Sequence, residues 1–257
     1  MNLVRIWVIA SNCFREVIRD RILYFIGFFA LLLAIALRLL PEVSANTEDK
    51  IFLDFGLGAI GLLSALVAIF VGTGLINKEI EKHTVLVMIP KPISRAEFII
   101  GKHLGLSGVL AVMVAVMLMI YLGLLSFAKI SYPLVSLLVS VLYLFIELAL
   151  LTAVAITFGV FTSSILGTLM SCGIYLMGHI SGDLLEFGKL SKNENIEFLT
   201  QTLYLVLPDL SRLNLRNEAV YGLLPSLSEL LSHALYGVTY TGLLLAIAIL
   251  IFSRRQF

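Results

Sequence analysis

Charge is what this sequence has least of. Only 14% of its 257 residues are Asp, Glu, Lys or Arg and 60% are hydrophobic, against about 25% charged in a soluble domain. That composition excludes an ordinary solvated globule. Cysteine is scarce as well: Cys13 and Cys172 stand far apart and form neither a disulfide framework nor a metal-ligand spacing. No H-E-x-x-H occurs, and His83, His103 and His233 lack partners at ligand spacing. There is also no G-x-x-x-x-G-K-[ST], so the chain has no phosphate-cradling loop of its own, and any ATPase that drives it is a separate polypeptide. A net charge of +1 gives no reason to expect nucleic acid or an acidic substrate.

What is present is a series of long apolar runs, with a mean hydropathy of +1.03. Residues Ile22 to Leu40 would reach about 28 Å as a helix, close to the hydrocarbon thickness of a bilayer. Comparable runs cover Ile51 to Ile76, His103 to Phe127, Pro133 to Val160, Ile165 to Phe187 and Leu230 to Phe252. The expected fold is an all-α integral membrane protein, a single domain over 1–257 with six spans.

Two flanking segments complete this expectation. In residues 1–21, Leu3, Ile6, Trp7, Ala10, Cys13, Phe14, Val17 and Ile18 recur at spacings of three and four, with Arg5, Arg15 and Arg19 mostly opposite. Such a basic amphipathic helix suits the headgroup plane. A helix packed on a partner is an alternative; a signal peptide is another, although the apolar run that follows is longer than a usual h-region. In residues 188–229, the ten apolar residues Phe198 to Leu207 are too short to cross and read as a re-entrant or interfacial helix, broken at Pro208.

The sidedness follows from the basic residues. Five of the 18 Lys and Arg (Lys78, Lys82, Lys91, Arg95 and Lys102) lie in the loop 77–102. Basic loops face the cytoplasm. Six spans then put both termini inside, with Arg5, Arg15, Arg19, Arg21, Arg254 and Arg255 on the same face. Within the loop, Glu79 to Ile89 can form about three helical turns, with Glu79 placed to meet Lys82 and His83. Pro90 and Pro92 stop that helix. Ser94 and Glu97 form an S-x-x-E capping box, so a new helix starts there and runs through Lys102 into the membrane. A solvated connector is the plain alternative.

The run EIEKHTVLVMIPKPISRAEFIIGKHL resembles the loop after the second span of ABC-2 type permeases. An acidic helix, a T-hydrophobic-P-[IV]-S-R turn and a GK entering the third span recur there. Together with the amphipathic N-terminus and the long segment before the last span, the resemblance covers essentially the whole chain. YLVLPDLSRLNLRNEAVYG, at Tyr204 to Gly222, is most similar to the permease of the nitrous-oxide-reductase maturation exporter. The resemblance implies a bacterial cytoplasmic-membrane exporter subunit that pairs with itself or a related permease. It also implies that the loop docks as a coupling helix on an ABC ATPase, which holds the ATP and Mg. The implied coupling residues are Glu79, Glu81, Lys82, Thr84, Pro90, Ser94, Arg95 and Glu97.

Several apparent motifs carry less. Gly56-x-Gly58-x-x-Gly61 has the spacing of a dinucleotide fingerprint, but it lies in an apolar span with no strand before it, where glycines serve close helix packing. Gly105-Leu106-Ser107-Gly108 with Gly178-His179 has the look of an intramembrane serine protease. Ser107 and His179 fall about 13 Å apart in membrane depth, too far for a nucleophile and its base. Cys172, Met177 and His179 could be imagined around copper, but in an apolar span they suit packing better. Glu147 is harder to set aside. An acid in mid-span is costly, so it either hydrogen-bonds a neighbour such as a Thr or lines the translocation pathway. It could also bind a coupling proton in a secondary transporter, the competing functional class. Asp54, near the outer end of span two, is expected to be wet.

Overall fold

The computed structural model describes residues 2–19, 22–43, 48–81, 94–191 and 193–254. Among the described residues there are helices and connecting turns but no strand. In chain order the helices are α1 (Leu3–Arg19), α2 (Ile22–Val43), α3 (Glu48–Glu81), α4 (Arg95–Phe127), α5 (Leu134–Phe161), α6 (Ser164–His179), α7 (Ser181–Leu190), α8 (Glu194–Val206), a 3₁₀ turn (Leu210–Leu213), α9 (Arg216–Tyr221) and α10 (Leu227–Arg254). Five of them, α2, α3, α4, α5 and α10, are long and apolar enough to cross a membrane. The pair α6 and α7 makes a sixth span if taken together, bent by 61°.

The hub is α5, which packs against α3, α4, α6, α9 and α10. Its neighbours α3 and α4 bury Ile60, Ile69, Leu106, Met113 and Tyr121 with Leu148 and Leu151 of α5 in one continuous core. Tyr121 is fully enclosed, so its hydroxyl needs an internal acceptor, and it donates to the Leu53 carbonyl at 2.9 Å. The glycine motif of span two serves this packing. A Cβ at Gly56 would stand 2.2 Å from the Tyr121 ring, and one at Gly58 would stand 2.5 Å from the Arg216 guanidinium. These two glycines therefore make room for incoming side chains rather than for another helix backbone.

Helix α1 resolves into two faces. Ile6, Ala10, Cys13 and Val17 are buried, while Leu3, Val4, Trp7 and Val8 are exposed. The buried stripe lies along α4, where Gly101 and Gly105 let the two helices approach closely. A Cβ on Gly105 would meet the Ala10 carbonyl at 2.7 Å. The partner of this helix is thus another part of the same chain, and Leu3, Val4, Trp7 and Val8 remain exposed.

Three expected boundaries are corrected. Span two does not stop at Ile76: α3 is continuous from Glu48 to Glu81, so Glu79 and Glu81 end the second span instead of opening a separate helix. The rest of the expected coupling helix, 82–89, lies outside the described residues. Span five is not one rod to Phe187, because it breaks at Ile180, between α6 and α7. Finally, the expected half-span at 198–207 starts earlier, at Glu194, and packs back on α7 as a helical hairpin. Gly188 makes that hairpin tight, since a Cβ there would overlap the Thr200 hydroxyl.

Candidate functional site

Two places concentrate polar side chains in this apolar bundle. The first is where α1, α3 and α4 meet, flanking the basic loop. Its starting point is the cap of α4: Ser94 Oγ accepts from the Glu97 N–H at 3.2 Å, and Glu97 Oε2 accepts from the Ser94 N–H at 3.0 Å. The same carboxylate also accepts from the Asn2 N–H at 2.6 Å through Oε1. Both oxygens of Glu97 are thereby engaged within the chain. Arg95, one turn outside the bundle, donates through Nη1 to the Phe252 carbonyl at 2.7 Å and to that of Ser253. These are terminal carbonyls of α10, where a cation completes the helix end.

Deeper by two turns, Lys102 is buried and donates to Glu79 Oε1 at 2.9 Å, with Glu16 at 3.9 Å. This ion pair joins the end of α3 to the start of α4, with α1 alongside. Cys13 of α1 is packed against the same spot, its thiol 3.7 Å from the Lys102 carbonyl. Burial pushes that thiol up to about 11, because a thiolate there would lose its solvent, although the Lys102 charge opposes the shift.

Of the expected coupling residues, the described part of the structure therefore brings together Glu79, Ser94, Arg95 and Glu97. Glu81 is the last residue of α3, with its side chain outside the described set, and Lys82, Thr84 and Pro90 lie outside the described residues altogether.

The second place is a cavity of about 120 Å³ between α3, α5, α6 and the segment linking the 3₁₀ turn to α9. It has room for several waters. Its polar lining is Ser140 and Glu147 from α5, Tyr175 and His179 from α6, Asn214 from the linking segment and Arg216 from the start of α9. Glu147 is buried, and its partner is not a Thr: His179 Nε2 lies 3.3 Å from its Oε1. His179 in turn contacts the Tyr175 ring at 4.6 Å between centroids. Arg216 grips Asp54 of α3 with two nitrogens, so Asp54 is not simply wet but one half of an ion pair.

The corner between the bend and the 3₁₀ turn is organised by Asp209. Its carboxylate accepts from Ser181 Oγ at 2.9 Å, from Ser211 Oγ at 2.5 Å and from Arg212 Nε at 2.9 Å. Burial alone would raise the Asp209 carboxyl, but these hydrogen bonds and the Arg212 charge outweigh it and hold the group below the usual range. Ser181 is the first residue after the bend, so Asp209 fixes the bend against the 3₁₀ turn. Gly178, at the same corner, allows the approach, because a Cβ there would lie 2.8 Å from the Pro208 carbonyl.

The bundle of apolar helices acquires its family from the match that spans it: the family model described as ABC-2 family transporter protein covers residues 7–257. This chain belongs to the ABC-2 transporter family. It is a multi-pass membrane component of a transporter, in a family that works with an ABC ATPase subunit. No curated protein matches the sequence. In this ABC-2 protein, sequence reasoning singled out Glu147 but treated His179 as packing and Asp54 as solvated. The available signal was the coexistence of an acid and an imidazole in neighbouring apolar spans, each costly alone and less so together. Among the described residues no cluster of three or more His, Cys, Asp or Glu could hold a metal.

Proposed function

We propose that this chain is the membrane half of an ATP-driven exporter in the bacterial cytoplasmic membrane. Two copies, or one copy with a related permease, would form the pathway, and each would be worked by a separate ABC ATPase docked at the basic loop. The observation that carries this reading is the Lys102–Glu79 ion pair at 2.9 Å, with α1 packed alongside. It makes the ends of α3, α4 and α1 a single block directly beneath the loop. A push on residues 82–93 would enter that block and not dissipate in one helix. Through Arg95 the same block holds the end of α10. The described residues that flank the loop therefore reach α1 and α10 as well as α3 and α4.

In this scheme Glu81, Lys82 and Thr84 meet the ATPase, Pro90 hinges the loop, and Glu79, Ser94, Arg95 and Glu97 transmit the motion. Glu79 is engaged with Lys102, so charge reversal there would disturb the block itself; reversal at Glu81 and Lys82 is the cleaner test. Glu81→Lys with Lys82→Glu should abolish co-purification of a co-expressed ABC ATPase while leaving the helical content and melting profile of this chain unchanged. Undiminished co-purification would refute the contact. The Tyr204 to Gly222 run supports a position in the family near the permease of the nitrous-oxide-reductase maturation exporter, with both termini cytoplasmic. The α7–α8 hairpin on the opposite end would then form a re-entrant cap on the outer side of the pathway, and Glu147 would lie beside that pathway.

A further inference from the structure

His179 and Glu147 meet inside the polar cavity, and the hydrogen bonding of the imidazole fixes where its hydrogens are. Nδ1 lies 3.0 Å from the Tyr175 carbonyl, one helical turn back. A carbonyl only accepts, so Nδ1 carries the hydrogen. The other nitrogen, Nε2, is the one 3.3 Å from Glu147 Oε1. Two arrangements make that approach attractive: an imidazolium facing a carboxylate, or a bare Nε2 facing a protonated carboxyl. Each contains one proton between the two atoms. With that proton gone, a nitrogen lone pair would face an ionised carboxylate in a low-dielectric site, and the two would repel.

The surroundings offer no substitute for the proton. From α3 the cavity meets only Leu57, Gly58, Gly61 and Leu62, and from α9 Arg216, whose charge is neutralised by Asp54 of α3 beyond the lining. From α6 it receives Tyr175, and from α5 and the linking segment only the neutral Ser140 and Asn214. The location matters as much as the chemistry. Glu147 stands on α5, the hub of the bundle, whereas His179 is the last residue of α6 before the 61° break. On the far side of that break, Ser181 is tied to Asp209.

We propose that this cavity is a proton-binding site: one proton shared by Glu147 and His179 fastens the end of α6 to α5, and its departure releases the bend. The proton acts as a ligand that sets the angle of a span, not as the driving ion. The inference goes beyond the ATP-driven reading and does not rest on it.

The test therefore uses the full chain alone, purified and without any ATPase. Spin labels on α5 and α7 report the bend while pH is stepped from about 4 to about 10. The wild-type distance distribution should shift between two states across the series. Glu147→Gln, whose amide N–H can donate to Nε2 as the carboxyl O–H would, should hold the proton-loaded distribution at every pH. Should that variant fail to fold, His179→Gln removes the imidazole and with it the shared proton, and should equally lose the pH-dependent shift. A wild-type distribution that never changes, or a shift of wild-type size in either folded variant, would overturn the proposal.

Discussion

Glu97 holds the N-terminus of the chain. Its carboxylate accepts from the Asn2 N–H at 2.6 Å and from the Ser94 N–H at 3.0 Å, so one side chain starts both α1 and α4. Replacing it by Ala should remove the reciprocal cap of α4 and free the first turn of α1. Hydrogen exchange should then rise in the amides of residues 2–6 and 94–98 together. Faster exchange in only one of the two groups would show that the carboxylate does not join them.

Lys102 is predicted to be the costliest polar truncation at the same end. Its side chain is 7% exposed and its partner Glu79 22% exposed, so removing the ammonium leaves a carboxylate with little solvent. Lys102→Ala should destabilise by about 3 kcal/mol. Adding Glu79→Ala should recover part of that loss, read as the coupling term of a double-mutant cycle in thermal unfolding. Additive effects would mean that the two residues do not act on each other.

At Gly101 the expected defect is steric. A Cβ would meet Ile9 Cβ at 2.7 Å and the Ile6 carbonyl at 3.2 Å, neither of them the loose tip of a long side chain. Gly101→Ala should therefore lift α1 from α4 and cost about 1–3 kcal/mol. Crosslinking between cysteines placed on α1 and α4 would fall with it. Gly123→Ala, where nothing lies within 4 Å, is the matched control.

Cys13 should be inert while the protein is folded. It is 1% exposed and its thiol is pushed up to about 11 by burial, so hardly any thiolate exists near pH 8. A maleimide should modify it only after denaturation, as peptide mass mapping would record. Rapid labelling of the folded chain at Cys13 would mean that α1 detaches from α4 in solution.

Acid should attack the corner at Asp209. The carboxyl is held below its usual range in the folded state, so its stabilising contribution is complete above the unfolded value of about 3.9 and is lost as pH falls through the folded value. Asp209→Asn should flatten the acid limb of a stability-against-pH curve and leave its neutral portion lower by a constant amount. An unchanged acid limb would assign the loss to other groups.

The legible parts of the fold were those decided by local rules. Long apolar runs announced the spans, and an S-x-x-E pattern located the start of α4 at the correct residue, because a capping box is complete within four residues. The bend at Ile180 was not legible: Ile165 to Phe187 is long enough to read as one span, and the Asp209 carboxylate that holds Ser181 just past the bend lies 28 positions away. The end of span two was misplaced for the opposite reason. Asn77, Lys78 and Glu79 look like the start of a loop, yet helix continues through them because Asn77 bonds back to Thr73 and Glu79 is neutralised by Lys102. The candidate site divides in the same way. Glu147 stood out as an acid among apolar neighbours, whereas its pairing with His179 and the grip of Arg216 on Asp54 join residues separated by 32 and 162 positions, which no local pattern encodes.

The break that ends α6 after 16 residues also has a bearing on the lipid around it. At 1.5 Å per residue the rod measures about 24 Å, several ångströms less than the hydrocarbon layer it stands in. The rest of the crossing falls to α7, beyond the 61° bend, so this flank of the molecule meets the bilayer as two short pieces and not as one rod. Bilayers of longer acyl chain would strain that flank first, which makes membrane thickness a physical variable to which this transporter responds unevenly.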